Sequence, residues 1–295
     1  MNRSYSTTDL AKLWGVSESS IKRWADAGTI KCYKTAGGHR KFNPEDVLEF
    51  QARSGLAAKS LALSAEFAPR DFELKDILAE PDLTDISQRY KKEAINGQCL
   101  TASTLIRETY LHGIHLPTIA EEIIKPALYE IGEMWRAGKL EVFEEHLATF
   151  ATMQALAGLN SASPKELSVD RLALVGCLEN EHHEIASAMA RCLLLSEGWS
   201  VIYMGTHTPL FSFADAINKL KPGLACISAT MTDNLERAAR DYKMLRRAAS
   251  KQGTGIIMGG QALNDDLMRA RFKGAYFANT LYALEEIIHQ VMREW

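Results

Sequence analysis

The chain has 295 residues, 46% hydrophobic and 24% charged, with a net charge of −3. These proportions exclude a long disordered chain, and no apolar run reaches the roughly 18 residues of a membrane span. Five cysteines, at 32, 99, 177, 192 and 226, form no CxxC pair; that argues against a disulfide framework or a cysteine zinc site and, with an N-terminus lacking an apolar signal core, predicts a reducing cytoplasm.

The charge is uneven. Residues 1–44 carry +5 and the other 251 carry −8, so a polyanion partner is expected for the head alone. In that head, Ser6 or Thr7 can cap a first helix ending at Gly15, and Ser17 a second ending at Gly28. Leu10, Leu13 and Trp14 give the first an apolar face, as Ile21, Trp24 and Ala25 do the second. Two short helices across a tight turn read as helix-turn-helix. Two short strands around Gly37-Gly38 then make a basic wing, and Asn43-Pro44-Glu45 opens a further helix. The second helix groups Ser19, Ser20, Lys22 and Arg23 near one exposed face, as a major-groove reader requires. Lys34, Thr35, His39, Arg40 and Lys41 of the wing can reach phosphates.

Residues 54–75 read as a linker. Helical periodicity over about 83–97, 101–113, 117–137 and 141–160, broken at Gly97, His115–Pro117 and Gly138, predicts a four-helix bundle. From 171 on, strand-like runs beginning at Leu172, Gly198, Leu224 and Gly255 alternate with helices at about 182–196, 210–220, 233–251 and 281–294. That order predicts a doubly wound, Rossmann-like parallel sheet with helices on both faces. The expected division is 1–75, 76–165 and 166–295.

Three groups of residues carry chemistry. Tyr5-Ser-Thr-Thr-Asp-Leu-Ala, Val16-Ser-Glu-Ser-Ser-Ile-Lys-Arg-Trp and Gly37-Gly-His-Arg-Lys-Phe, in that order and spacing, resemble the MerR-type regulators. The resemblance implies binding of double-stranded operator DNA as a dimer or higher oligomer. In the tail, Glu179-Asn-Glu-His-His-Glu follows the first strand, at the edge where such sheets bind ligands. Taken alone, it is a charged helix start with incidental histidines. Together with Ser228-Ala-Thr230 and Gly259-Gly260, it resembles the cobalamin-binding domain of methyltransferases and mutases. The resemblance implies His183 as lower axial ligand to cobalt and Glu181 as its orienting acid. Ser228, Thr230, Gly259 and Gly260 would line the nucleotide-tail groove. Ala186 stands where that family has glycine, and His182 offers a neighbouring imidazole.

In the bundle, Trp135 is followed, across nine residues, by Glu145-His146. Alone this reads as a helix-end core residue and a solvated acidic turn. With the two motifs above it resembles the CarH/LitR-type B12 photoreceptors, which join a MerR-type head, a helical cap and a cobalamin domain. That implies adenosylcobalamin as cofactor, with Trp135, Val142 and Glu145 around its adenosyl group and His146 on the upper corrin face, free to take cobalt after photolysis. The implied function is a light-responsive transcriptional regulator, a repressor and not an enzyme, switching its oligomeric state and its operator binding. Alternatives are a light-independent cobalamin sensor, a sensor of haem or a linear tetrapyrrole, and a corrinoid methyltransferase subunit. No GxSxG, P-loop or HExxH pattern is present.

Overall fold

A computed structural model describes residues 4–14, 16–35, 37–43, 46, 47, 50, 81–162, 168–231 and 235–294. The chain forms two compact units, Met1–Asp71 and Phe72–Trp295. The expected stop at Gly15, the helix start at Pro44-Glu45 and the linker 54–75 lie outside the described residues.

In the first unit, strand β1 (Tyr5–Ser6) leads into helix α1 (Thr7–Trp14), followed by α2 (Glu18–Asp26), β2 (Tyr33–Lys34) and β3 (Arg40–Phe42). Ser6 is the cap: its hydroxyl accepts from the Asp9 N–H while the Asp9 carboxylate accepts from the Ser6 N–H. Ser17 caps α2 by accepting from the Ser20 N–H. Leu10, Trp14, Ile21, Ile30 and Phe42 are buried, with Trp14, Trp24 and Phe50 in mutual ring contact. The wing turns at Gly38, which takes a positive φ of 76°. The third strand, β1, pairs antiparallel with β3; two residues are too few for period-two alternation to reveal it.

The second unit begins with α3 (Leu83–Ile95) and α4 (Cys99–Leu111). A continuous rod follows: α5 (Leu116–Thr118), a π-helical stretch (Ile119–Ile124) and α6 (Lys125–Arg136). Then comes α7 (Val142–Ala162). The four expected bundle helices are all present. The π stretch is not legible as a period, but Pro126 accounts for it: proline has no N–H to donate and its ring presses on the preceding turn, so the turn widens there.

The remaining elements are β4 (Ser168–Leu178), α8 (Ile185–Ser196), β5 (Trp199–Thr208), α9 (Leu210–Leu220), β6 (Leu224–Ser228), α10 (Leu235–Gln252), β7 (Gly255–Gly259), α11 (Asp266–Arg269), β8 (Tyr276–Ala278) and α12 (Leu281–Glu294). The five strands are parallel in the order β5-β4-β6-β7-β8. Alternation along β4 separates two cores. Ala173 and Val175 face the bundle, with Leu193, Trp199 and Ile288; Leu174 and Leu178 pack with Phe213, Ile217 and Leu245 on the other face. One apolar cluster thus runs unbroken from the bundle to one sheet face. The chain order reverses between β4 and β6, which is where an open α/β sheet leaves a crevice at the carboxyl ends of its strands. Among the described residues, no helix is long and apolar enough to cross a membrane.

Candidate corrinoid site

The loop after β4 enters that crevice. Glu181 is 2% exposed, and its two carboxylate oxygens are fully used. One accepts from the His183 N–H at 2.8 Å and meets His183 Nδ1 at 2.6 Å; the other accepts from the N–H groups of Thr230 at 2.5 Å and Met231 at 2.8 Å, beyond β6. Burial alone would raise the Glu181 pKa, but the backbone donors of His183, Met231 and Thr230 outweigh it, aided by the imidazole, and hold it below its ordinary value. An ionised carboxylate can only accept, so His183 Nδ1 carries a proton, and in the neutral ring the lone pair is on the outward Nε2. The His183 side chain is 61% exposed, on the wall of a cavity of about 670 Å³.

His182 is turned elsewhere. Its ring stacks on His207 with centroids 5.8 Å apart, and it does not line the cavity. His207 in turn accepts from the Asn180 N–H at 2.8 Å, so the second imidazole braces the loop and leaves His183 as the available ligand.

The cavity brings together His183, Ala186, Ser228, Thr230, Gly259 and Gly260. Ser228 is 7% exposed, and its Oγ has no hydrogen-bond partner among the described residues: a buried hydroxyl on a cavity wall, available to one. The two glycines are required by the fold itself. A Cβ on Gly259 would stand 2.3 Å from the Ala278 carbonyl oxygen, and one on Gly260, at φ 105°, would stand 2.3 Å from that of Ala229. Cys226 also lines the cavity; burial pushes its thiol up to about 12, leaving it a neutral, inert filler.

The opposite wall comes from the bundle, through Glu121, Lys125, Tyr129, Gly132 and Arg136. Sequence reasoning missed this face, although the last four recur at helical spacing along α6. The structure does not bring Trp135, Val142, Glu145 or His146 into the cavity lining. Trp135 is 47% exposed and Val142 is exposed; the His146 side chain is 72% exposed, 3.7 Å from Glu145, which accepts from the Thr149 hydroxyl.

In the head, Ser19, Lys22, Arg23, Lys34, Thr35 and His39 are exposed, and Ser20, Arg40 and Lys41 half-buried. Arg40 is bonded to Asp26 of α2, so this guanidinium pins the wing to the recognition helix.

Residues 4–55 match a family model described as a helix-turn-helix domain. Residues 86–160 and 171–288 match two models, each described as a B12 binding domain. Over 273 residues the chain is 26% identical to the HTH-type transcriptional repressor CarH of Myxococcus xanthus, spanning 88% of this chain and 90% of that protein. This chain is a B12-binding helix-turn-helix regulator, similar to CarH over most of its length. The regulator is also 24% identical over 144 residues to the dimethylamine corrinoid protein of Methanosarcina barkeri, 48% of this chain and 68% of that one. The solved monomethylamine corrinoid protein of the same organism shares its fold, with a TM-score of 0.59 at 16% identity over 70% of this chain and 99% of that one. The donor set of the regulator suits a corrinoid: an imidazole whose Nδ1 is held by a carboxylate and whose Nε2 is left for cobalt, and an unsatisfied hydroxyl beside close-packed glycines for a polar tail.

Proposed function

We propose that the chain is a light-responsive repressor that holds adenosylcobalamin between bundle and sheet and couples its upper substituent to operator binding. The observation that supports this reading is the Glu181–His183 pair, in which a buried carboxylate holds one imidazole nitrogen and leaves the other outward, as a metal ligand would need. Ser228, Thr230, Gly259 and Gly260 would receive the nucleotide tail. Bound there, adenosylcobalamin supplies a cobalt–carbon bond that light breaks. Trp135, Val142 and Glu145 would enclose the adenosyl group and exclude water from it. His146 would offer cobalt a second imidazole, a ligand type that suits it. The bundle is then a two-state element biased by what its wall touches.

On this reading the chain divides into a head at 1–75, a helical cap at 76–165 and a cobalamin domain at 166–295, and it acts in the cytoplasm as a switch, not a turnover enzyme. In the dark it would self-associate as a dimer or tetramer. Linked heads then grip operator DNA together through effective concentration. Ser19, Ser20, Lys22 and Arg23 would enter the major groove; Lys34, Thr35, His39 and Lys41 would meet phosphates, with Arg40 holding the wing in place beside them.

The test is operator retention by protein loaded with adenosylcobalamin, in darkness and after green light. Release on illumination is expected, and equal retention rejects the light switch. Loading with methylcobalamin or hydroxocobalamin separates light sensing from a plain response to the vitamin.

A further inference from the structure

A second cluster of ligand-type side chains lies outside the corrinoid cavity, where the end of α8 meets α12. Glu285 and His289 are four residues apart on α12 and therefore share a face. Glu197 caps the carboxyl end of α8, its N–H bonded to the Leu193 carbonyl. His289 Nε2 lies 3.0 Å from Glu197 Oε2. One donor atom from each of the three residues lies within 4.8 Å of the other two. In a tetrahedral zinc site, bonds of about 2.0–2.1 Å set ligand atoms about 3.3 Å apart, so the observed spacing already spans that range. His115, at the bundle corner before α5, meets the Glu285 carboxylate at 2.9 Å. That is the place and chemistry of an outer partner that orients a ligating carboxylate.

We propose that Glu197, Glu285 and His289 bind a divalent zinc ion, with His115 positioning Glu285. Two carboxylates call for a divalent cation, and one imidazole with two carboxylates is a nitrogen–oxygen set that zinc accepts, leaving a fourth position to water. None of the four residues lines the corrinoid cavity, so the two sites have separate ligands. They share a helix, however: Leu281 and Leu284 of α12 line the cavity, and Glu285 follows directly. An ion there would tie α8, α12 and, through His115, the bundle corner into one joint. Zinc would therefore stiffen the junction that has to move if the bundle is to respond to the corrinoid.

The experiment uses the full chain without a histidine tag, stripped by chelator and free of corrinoid, and titrated with zinc chloride against a chromogenic chelator of micromolar affinity. One ion per chain is expected, together with a zinc-dependent rise in the midpoint of thermal unfolding. Glu285→Gln, which keeps its shape and its contact with His115, and His289→Ala should each weaken zinc by about a hundredfold and abolish the thermal rise. His115→Ala should weaken it by about tenfold, as outer partners do. Glu286→Gln, on the exposed neighbour of Glu285, should change nothing. Equal uptake by wild type and both ligand variants would overturn the proposal, as would no uptake at micromolar zinc.

Discussion

On the sheet side of the cavity, Glu181 is buried, all its acceptor capacity is used, and the adjoining glycines admit no side chain. On the bundle, outside the cavity lining, Trp135, Val142, Phe143 and Phe150 are exposed apolar residues on α6 and α7. The floor is finished without a ligand, whereas the bundle leaves apolar surface for a ligand or a partner to cover. A preformed floor fixes where a cofactor sits; an uncovered wall is free to report what the cofactor carries. That division suits a switch, because a wall already satisfied would have no differential interaction with two ligand states.

The sharpest break in this comparison is at the floor. Gly260→Ala places a methyl carbon against the Ala229 carbonyl at a positive φ, and Gly259→Ala brings one as close to the Ala278 carbonyl. Each should cost about 3 kcal/mol or more, read as a lower midpoint of denaturant unfolding. The same alanine at Gly132, where an added Cβ meets nothing within 4 Å, should be neutral or slightly stabilising, since alanine favours helix.

Glu181→Gln comes next. An amide has one oxygen, so its NH2 must face either the Thr230 and Met231 donors or the His183 ring, and buried donors lose their acceptor. A loss of about 2–3 kcal/mol is expected, with weakened retention of cobalamin. The pH dependence sharpens the point. The Glu181 pKa is lowered in the folded state, so its contribution is complete above the ordinary carboxylate value of about 4.3 and is lost as pH falls through the folded value. In Glu181→Gln that part of the acid limb should vanish from a plot of stability against pH; an unchanged acid limb would mean that the carboxylate is not anchored as its bonds imply.

Ser228→Ala separates folding from binding. Removing an unpartnered buried hydroxyl should leave the ligand-free protein as stable or slightly more so. Cobalamin affinity should fall by about 1 kcal/mol, roughly fivefold, if the tail bonds Ser228. Loss of stability with no change in affinity would show that the hydroxyl serves the fold.

The floor was legible in the sequence because its demands are local. Glu181 and His183 lie two residues apart on one loop, and Gly259-Gly260 is a dipeptide at one strand end, although the carbonyls that exclude a Cβ there belong to Ala278 and Ala229 on neighbouring segments. Strands and helices of the tail were readable for the same cause, as alternation and 3.6-residue periods are properties of short windows. The wall was not. Tyr129 and Arg136 matter through which way one helix face turns toward a sheet more than thirty residues away in sequence, and no window contains that fact. The α8–α12 cluster was hidden likewise: Glu197 and His289 are far apart in the chain, and only the packing of α12 against α8 joins them.

Trp135→Ala carries the smallest expected effect on the fold and tests the wall most directly. Its ring is half-exposed and lies outside the cavity lining, so truncation should change unfolding stability by no more than about 0.5 kcal/mol. Cobalamin should still be retained, because the floor residues are untouched. What should change is discrimination: if the Trp135 ring encloses the upper substituent, the variant should release operator DNA in darkness, as the proposed switch has the wild type do only after light. A Trp135→Phe variant keeps an apolar ring and should restore part of the dark retention. Normal dark and light responses in Trp135→Ala would mean that the exposed bundle face serves contacts between chains and not the cofactor, and the division between a fixed floor and a reporting wall would have to be redrawn around Tyr129 and Arg136.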